Sequence, residues 1–136
     1  MTDDERKHLE FVQAAITRMA NNSFLLKGWT VTLTAAVIGL VAKETKPELV
    51  LIAFVPALAF WGLDAYYLTL ERRFRKLYEE LISPHGKVAA YAMNPQPYKK
   101  KAPSVLRTMF AGAVIWLHMV VLAAIVAVFL FLRAVK

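Results

Sequence analysis

Apolar residues fill three blocks of this chain, and short polar segments separate the blocks. They cover residues 24–42, 49–70 and 104–132. Because a helix rises about 1.5 Å per residue, roughly 20 apolar residues cross the hydrocarbon core of a bilayer. The pattern therefore predicts an all-α integral membrane protein with three transmembrane helices in one membrane domain.

The first 22 residues predict an amphipathic helix that is too short and too charged to span a bilayer. Thr2 to Glu5 has the sequence of a capping box. The apolar positions that recur at helical spacing are Leu9, Val12, Ile16 and Met19. Asn21-Asn22-Ser23 is predicted to end this helix, and Ser23 to cap the first span.

The second apolar block continues into a polar segment without a helix stop. Its apolar stripe extends through Phe74 and Leu77 toward Ile82, so one helix is predicted from residue 49 to residue 82. Such a helix is about 50 Å long and projects beyond the membrane as a cytoplasmic extension. Pro56 is predicted to kink it. Residues 83–103 are predicted to form a basic loop before the third span.

The distribution of charge predicts how the spans are oriented. The net charge is +7, and nine lysines and arginines lie within residues 71–107. Four more precede or enter the first span, whereas the 43–48 turn and the C-terminal tail together hold four. Since basic residues are retained inside, the N-terminus and the 71–107 segment are predicted to be cytoplasmic and the C-terminus external.

The same segment predicts a cytoplasmic basic surface. Its members are Arg72, Arg73, Arg75, Lys76, Lys99, Lys100 and Lys101. Arginines directly after a span usually orient it and contact anionic headgroups, so a bilayer with anionic lipid is the expected partner. A nucleotide signal or a cytoplasmic partner protein is the alternative.

Several chemistries lack the residues that they need. The chain has no cysteine, which excludes disulfides, thiolate zinc sites and cysteine nucleophiles. Its three histidines are far apart in sequence, and no metalloprotease, nucleophile-elbow, phosphate-loop or dinucleotide motif is present. We therefore expect neither an enzyme nor a metal or cofactor site.

Two opposite charges lie inside the predicted first and second spans. Lys27 is 16 residues before Lys43, and Asp64 is 16 residues after Glu48, so they lie at matching depth on adjacent antiparallel helices. An intramembrane carboxylate is costly unless it is paired, protonated or in contact with water. The pair is therefore either a structural salt bridge or part of an ion or gating site.

Three further polar residues interrupt the predicted spans. His118 lies near the middle of the third span, where it would relay protons or form a hydrogen bond between helices. Thr30 and Thr34 would line water or bond to carbonyls of their own helix. Together with Lys27 and Asp64, they are the candidate pore-lining or gating residues.

The run from Phe60 to Tyr78 (FWGLDAYYLTLERRFRKLY), with Lys27-Gly28-Trp29 upstream, resembles a group of small bacterial membrane proteins. The architecture also resembles the two-helix SLATT-type membrane effectors of antiphage systems, although this chain adds a third span and lacks a fused sensor domain. The second resemblance implies a cytoplasmic trigger and a membrane-damaging oligomer.

The functional expectation is a homo-oligomeric membrane effector or ion-conducting channel in the bacterial inner membrane, triggered from the cytoplasm in antiphage defence. Three spans cannot enclose an aqueous pathway alone, so a pore needs several copies. The alternative is a non-catalytic anchor or accessory subunit, with the Phe74, Leu77 and Leu81 stripe as its docking surface.

Overall fold

The protein is all-helical in a computed structural model that describes residues 1–136. Four α-helices follow one another: α1 Asp3–Val41, α2 Phe54–Ile82, α3 Val105–Met109 and α4 Gly112–Val135. Short 3-10 helices precede α2 (Pro47–Ala53) and α3 (Gln96–Tyr98). Three of the helical segments are long and apolar enough to cross a membrane: Asp3–Val41, Pro47–Ile82 and Gly112–Val135.

α1 is one unbroken helix of 39 residues, so the predicted break at Asn21-Asn22-Ser23 is wrong. The predicted capping box is present, because the Thr2 hydroxyl accepts from the Glu5 amide and the Glu5 carboxylate accepts from the Thr2 amide. Ser23 does not act as a cap. Its hydroxyl is buried and donates to Asp64 on α2, so it does not compete for the backbone of its own helix.

The predicted second helix begins differently and ends as expected. Residues Pro47–Ala53 form a 3-10 helix, and the α-helix starts only at Phe54. Pro56 therefore lies in the first turn of α2, where a missing N–H costs little, and not inside a long helix. The continuation of α2 to Ile82 is confirmed.

The predicted third helix, 104–132, is divided in two. α3 ends at Met109, the backbone is extended at Ala111, and α4 begins at Gly112. Ser104 caps α3, because its hydroxyl accepts a hydrogen bond from the Arg107 amide. Because the apolar helix starts at Gly112, His118 lies in its second turn and not near its middle.

α1 and α2 form an antiparallel hairpin whose polar ends pack on each other. Val12, Ala15 and Ile16 of α1 share a buried cluster with Phe74 and Leu77 of α2. Tyr98 from the 83–103 segment belongs to the same cluster. The stripe predicted as a docking surface is thus covered by the chain itself.

α4 packs against the apolar half of the hairpin. Ala53 and Ala57 share a buried cluster with Val121, Ile125 and Leu132 of α4. The opposite faces of these helices leave large apolar side chains exposed. They include Phe24, Leu40, Val55, Trp116 and Phe131. Apolar surface of this extent is typical of contact with lipid or with another protein.

Candidate functional site

The Asp64 carboxylate is the polar centre at which α1, α2 and α4 meet. One oxygen, Oδ1, accepts from the Lys27 ammonium at 2.7 Å and from the Ser23 hydroxyl. The other, Oδ2, lies 2.9 Å from Nε2 of His118. The Lys27 ammonium also donates to Ser23 at 3.0 Å. We call Ser23, Lys27, Asp64 and His118 the Asp64 cluster.

Helix geometry explains why these side chains converge. Ser23 and Lys27 are four residues apart, so they lie on the same face of α1, which turns toward α2. The antiparallel hairpin brings Asp64 to their level, and the contact between Lys27 and Asp64 that their spacing predicted is present. α4 begins at Gly112, which is six residues and about 9 Å along the axis before His118. His118 therefore lies near the start of α4, where it reaches Asp64.

Burial differs strongly within the Asp64 cluster. The side chains of Asp64 and His118 are 0% and 1% exposed, whereas that of Lys27 is 23% exposed. An ionised carboxylate can only accept hydrogen bonds, so Nε2 of His118 carries the proton in this contact. Nδ1 of the same ring is buried and has no hydrogen-bond partner. The cluster therefore contains one buried ring nitrogen without a hydrogen-bond partner.

Trp61 closes the Asp64 cluster toward α3. Its indole stacks on the His118 ring, with centroids 5.9 Å apart and planes 17° apart. Its Nε1 donates to the Met109 carbonyl at 3.0 Å, at the point where α3 ends. The break between α3 and α4 thus leaves the Met109 carbonyl without a partner in its own helix, and the buried Trp61 indole supplies the hydrogen bond.

Sequence reasoning missed Ser23 and Trp61 as members of this site. Ser23 looked like a helix cap because it follows two asparagines, and Trp61 looked like one more apolar residue in a span. Their spacing was the available signal, because Ser23 is four residues before Lys27 and Trp61 is three before Asp64. Each therefore shares a helix face with a charged residue.

Thr30 and Thr34 are buried but stand apart from the Asp64 cluster. The Thr30 hydroxyl donates to the Leu26 carbonyl at 2.7 Å, which is a bond within its own helix. The Thr34 hydroxyl is buried without a partner. Of the five candidate lining residues, the structure brings together Lys27, Asp64 and His118. Four of the five are buried within the chain, and Lys27 is partly buried.

The predicted basic surface divides into paired, exposed and buried members. Arg75 pairs with Glu71, Lys76 pairs with Glu79 at 2.7 Å, and Lys101 approaches Glu80 at 3.7 Å. Exposed members without an ion pair are Lys99 and Lys100, and Arg72 is half-buried. Arg73 alone is buried and makes neither an ion pair nor a hydrogen bond.

A cavity of about 560 Å³ opens at the far end of the hairpin from the apolar spans. Its wall includes the carboxylates of Asp4, Glu5 and Glu80 and contains no lysine or arginine. Asp4 accepts a hydrogen bond from the Tyr91 hydroxyl at 2.8 Å, and this bond raises the pKa of Tyr91. His8 holds the loop by donating from Nε2 to the Ala92 carbonyl at 2.8 Å.

No family model, curated protein or solved structure matches this chain. No group of three or more histidine or carboxylate side chains is arranged to hold a metal ion. The Asp64 cluster and the surfaces around it are therefore the candidate functional features of the chain.

Proposed function

We propose that this protein is a homo-oligomeric, ion-conducting membrane effector, and that the Asp64 cluster holds its closed state. The observation that carries the proposal is the Asp64 carboxylate, which is fully buried and is shared by all three candidate spans. A buried ion pair gives little net stability compared with apolar packing, so its retention between spans is more typical of a switch or a specificity device.

The proposed opening step separates α4 from the α1–α2 hairpin at His118. The candidate lining residues face the centre of one protomer, so ions could reach them only when its helices move apart. Lys27, the partly exposed member, would then hydrate first, and Asp64 would lose the donor on Oδ2. Pairing with neighbouring copies would supply the rest of the pathway.

A cytoplasmic trigger would act on the opposite end of the same hairpin. The acidic wall of the 560 Å³ cavity suits a cation or an amine and repels a nucleotide. A nucleotide signal would have to bind the basic surface instead. The resemblance to antiphage effectors supports the bacterial inner membrane as the setting and membrane permeabilisation as the output.

Ion flux from liposomes tests this function. The full chain is reconstituted with an encapsulated ion-sensitive dye, and Asp64→Ala is compared with the wild type. Loss of about 1.4 kcal/mol from the closed state shifts its population tenfold, so the variant is expected to leak at least about ten times faster. Light scattering in detergent is expected to give more than one copy per particle.

Asp3→Ala is the matched control, because this carboxylate is 87% exposed and lies outside the spans. It should leave the flux unchanged. Circular dichroism and gel filtration establish that each variant is folded before flux is compared. Wild-type and Asp64→Ala vesicles that both stay tight, or a strictly monomeric protein, would contradict the proposal.

A further inference from the structure

Arg73 is a buried cation without a counter-ion. Its side chain lies in α2 beyond the apolar block, and the residue is only 7% exposed. Nε has no hydrogen-bond partner, and no carboxylate lies within ion-pair distance of the guanidinium. The nearest carboxylate in sequence, Glu71, is already paired with Arg75. A buried Nε without a hydrogen-bond partner is costly, so an anion that binds the guanidinium would relieve this penalty.

The segment that follows Tyr98 packs on α2 in the neighbourhood of Arg73. Tyr98 shares a buried cluster with Leu77, and Val105 packs against the cluster that contains Ala65. Lys101 approaches Glu80 on the same stripe of α2. The segment from Tyr98 to Val105 therefore runs along α2 past the level of Arg73, and it carries three consecutive lysines.

The depth of Arg73 matches the headgroup layer of a bilayer. Asp64 lies in the apolar block, and Arg73 follows it by nine residues, about 13 Å along the axis. The apolar block ends near Leu70, so Arg73 lies one turn beyond the hydrocarbon boundary. Phosphates of the cytoplasmic leaflet occupy this layer, which is only a few ångströms thick.

We infer that Arg73 and the basic 99–101 segment form a binding site for the phosphodiester of an anionic phospholipid. The planar guanidinium can bind two phosphate oxygens at once, whereas the lysines act as point charges around the headgroup. The acyl chains would lie along the exposed apolar faces above. The site is separate from the Asp64 cluster and does not depend on ion conduction.

Thermal unfolding of the full chain in a neutral detergent tests this site. Added phosphatidylglycerol is expected to raise Tm by several degrees, and phosphatidylcholine at the same concentration is expected to leave it unchanged. Arg73→Gln should abolish the shift, and Arg73→Lys should retain part of it. Native mass spectrometry of the wild type should show phosphatidylglycerol retained on the protein.

Arg18→Gln is the matched control. Arg18 is nine residues before Lys27, as Arg73 is nine residues after Asp64, so the two arginines lie at the same depth. Arg18 is exposed, and its replacement should leave the lipid-dependent shift intact.

Three outcomes would overturn the inference. One is an equal shift with phosphatidylcholine, and a second is a full shift in Arg73→Gln. The third is an equal shift with millimolar inorganic phosphate, which would assign the site to a free anion. If Arg73→Gln does not fold, the Arg73→Lys shift and the lipid count on the wild type decide the question.

Discussion

At the scale of single residues, the balance of charge and hydrogen bonds around Asp64 determines what the site can do. Lys27 neutralises its charge, Ser23 and His118 occupy further lone pairs, and no bulk water reaches the carboxylate. Removing one partner of such a pair costs more than the intact pair contributes, because a charge is left buried. Stability measurements can therefore distinguish loss of the whole ion pair from loss of one of its two residues.

Lys27→Met is expected to lower the free energy of unfolding by about 2 kcal/mol. Fully buried pairs lose about 3–5 kcal/mol when one partner is removed, and the partial exposure of Lys27 reduces the effect. Adding Asp64→Asn to Lys27→Met removes the stranded charge and should restore a large part of the loss. Denaturant unfolding in detergent micelles, followed by tryptophan fluorescence, measures both steps.

Lys43→Met provides the control for this cycle, since Lys43 is exposed in the turn after α1 and has no ion pair. It should change stability little. A double variant that is no more stable than Lys27→Met would mean that Asp64 does not carry a buried charge.

At the scale of elements, the hairpin of α1 and α2 is a single unit that is longer than the hydrocarbon core of a bilayer. α1 is about 58 Å long by its helical rise, which is nearly twice the hydrocarbon thickness. Its polar half is held by the cluster of Val12, Ala15, Ile16, Phe74, Leu77 and Tyr98. Helix propensity alone would leave such a projecting segment frayed, so this packing keeps it ordered.

Leu77→Ala is expected to destabilise the polar half of the hairpin by about 2–5 kcal/mol. Leu77 is 1% exposed, and its truncation removes buried contacts and leaves a cavity. Hydrogen exchange should show faster opening at residues 8–19 and 74–82, while amides in the apolar spans keep their protection.

Ile82→Ala is the comparison for Leu77→Ala, because Ile82 is 57% exposed at the end of α2. It should leave exchange in the hairpin close to the wild type. Equal exchange in Leu77→Ala and the wild type would show that the stripe is not packed in solution and is free to dock another protein.

At the scale of the whole molecule, charge and hydropathy together predict the orientation in a membrane. Thirteen of the 17 lysines and arginines lie on the side of the N-terminus and the 71–107 segment. The polar half of the hairpin packs with the 83–103 segment through Tyr98. The distribution of basic residues predicts that this end is cytoplasmic and that the 43–48 turn and the tail lie on the other side.

Single-cysteine labelling tests this orientation directly, because the chain has no native cysteine. Glu44→Cys is expected to react with an impermeant maleimide in intact spheroplasts. Lys99→Cys is expected to react only after permeabilisation, since Lys99 lies at the end of the molecule that is predicted to be cytoplasmic. Both side chains are exposed, so access and not burial decides the result. The reverse pattern would invert the topology.

The sequence by itself determined the features that depend on spacing along one helix. Apolar blocks of sufficient length predicted three candidate spans, and the unbroken stripe predicted that α2 continues to Ile82. Equal distances from one turn predicted that Lys27 meets Asp64. Each of these follows from the fixed rise and period of a helix, so no knowledge of the packing was needed.

Tertiary structure decided the features in which a distant partner overrides a local signal. Ser23 has the local sequence of a cap, but its hydroxyl donates a hydrogen bond to Asp64 and α1 continues past it. The third span breaks at Phe110 and Ala111, and Trp61 satisfies the carbonyl freed there, which moves His118 into contact with Asp64. Arg73 is one of several arginines that directly follow the second apolar block, and the sequence does not distinguish it from Arg72 or Arg75. Only the packing makes it buried and unpaired. Such outcomes depend on which polar groups meet across helices, and one-dimensional spacing does not contain that information.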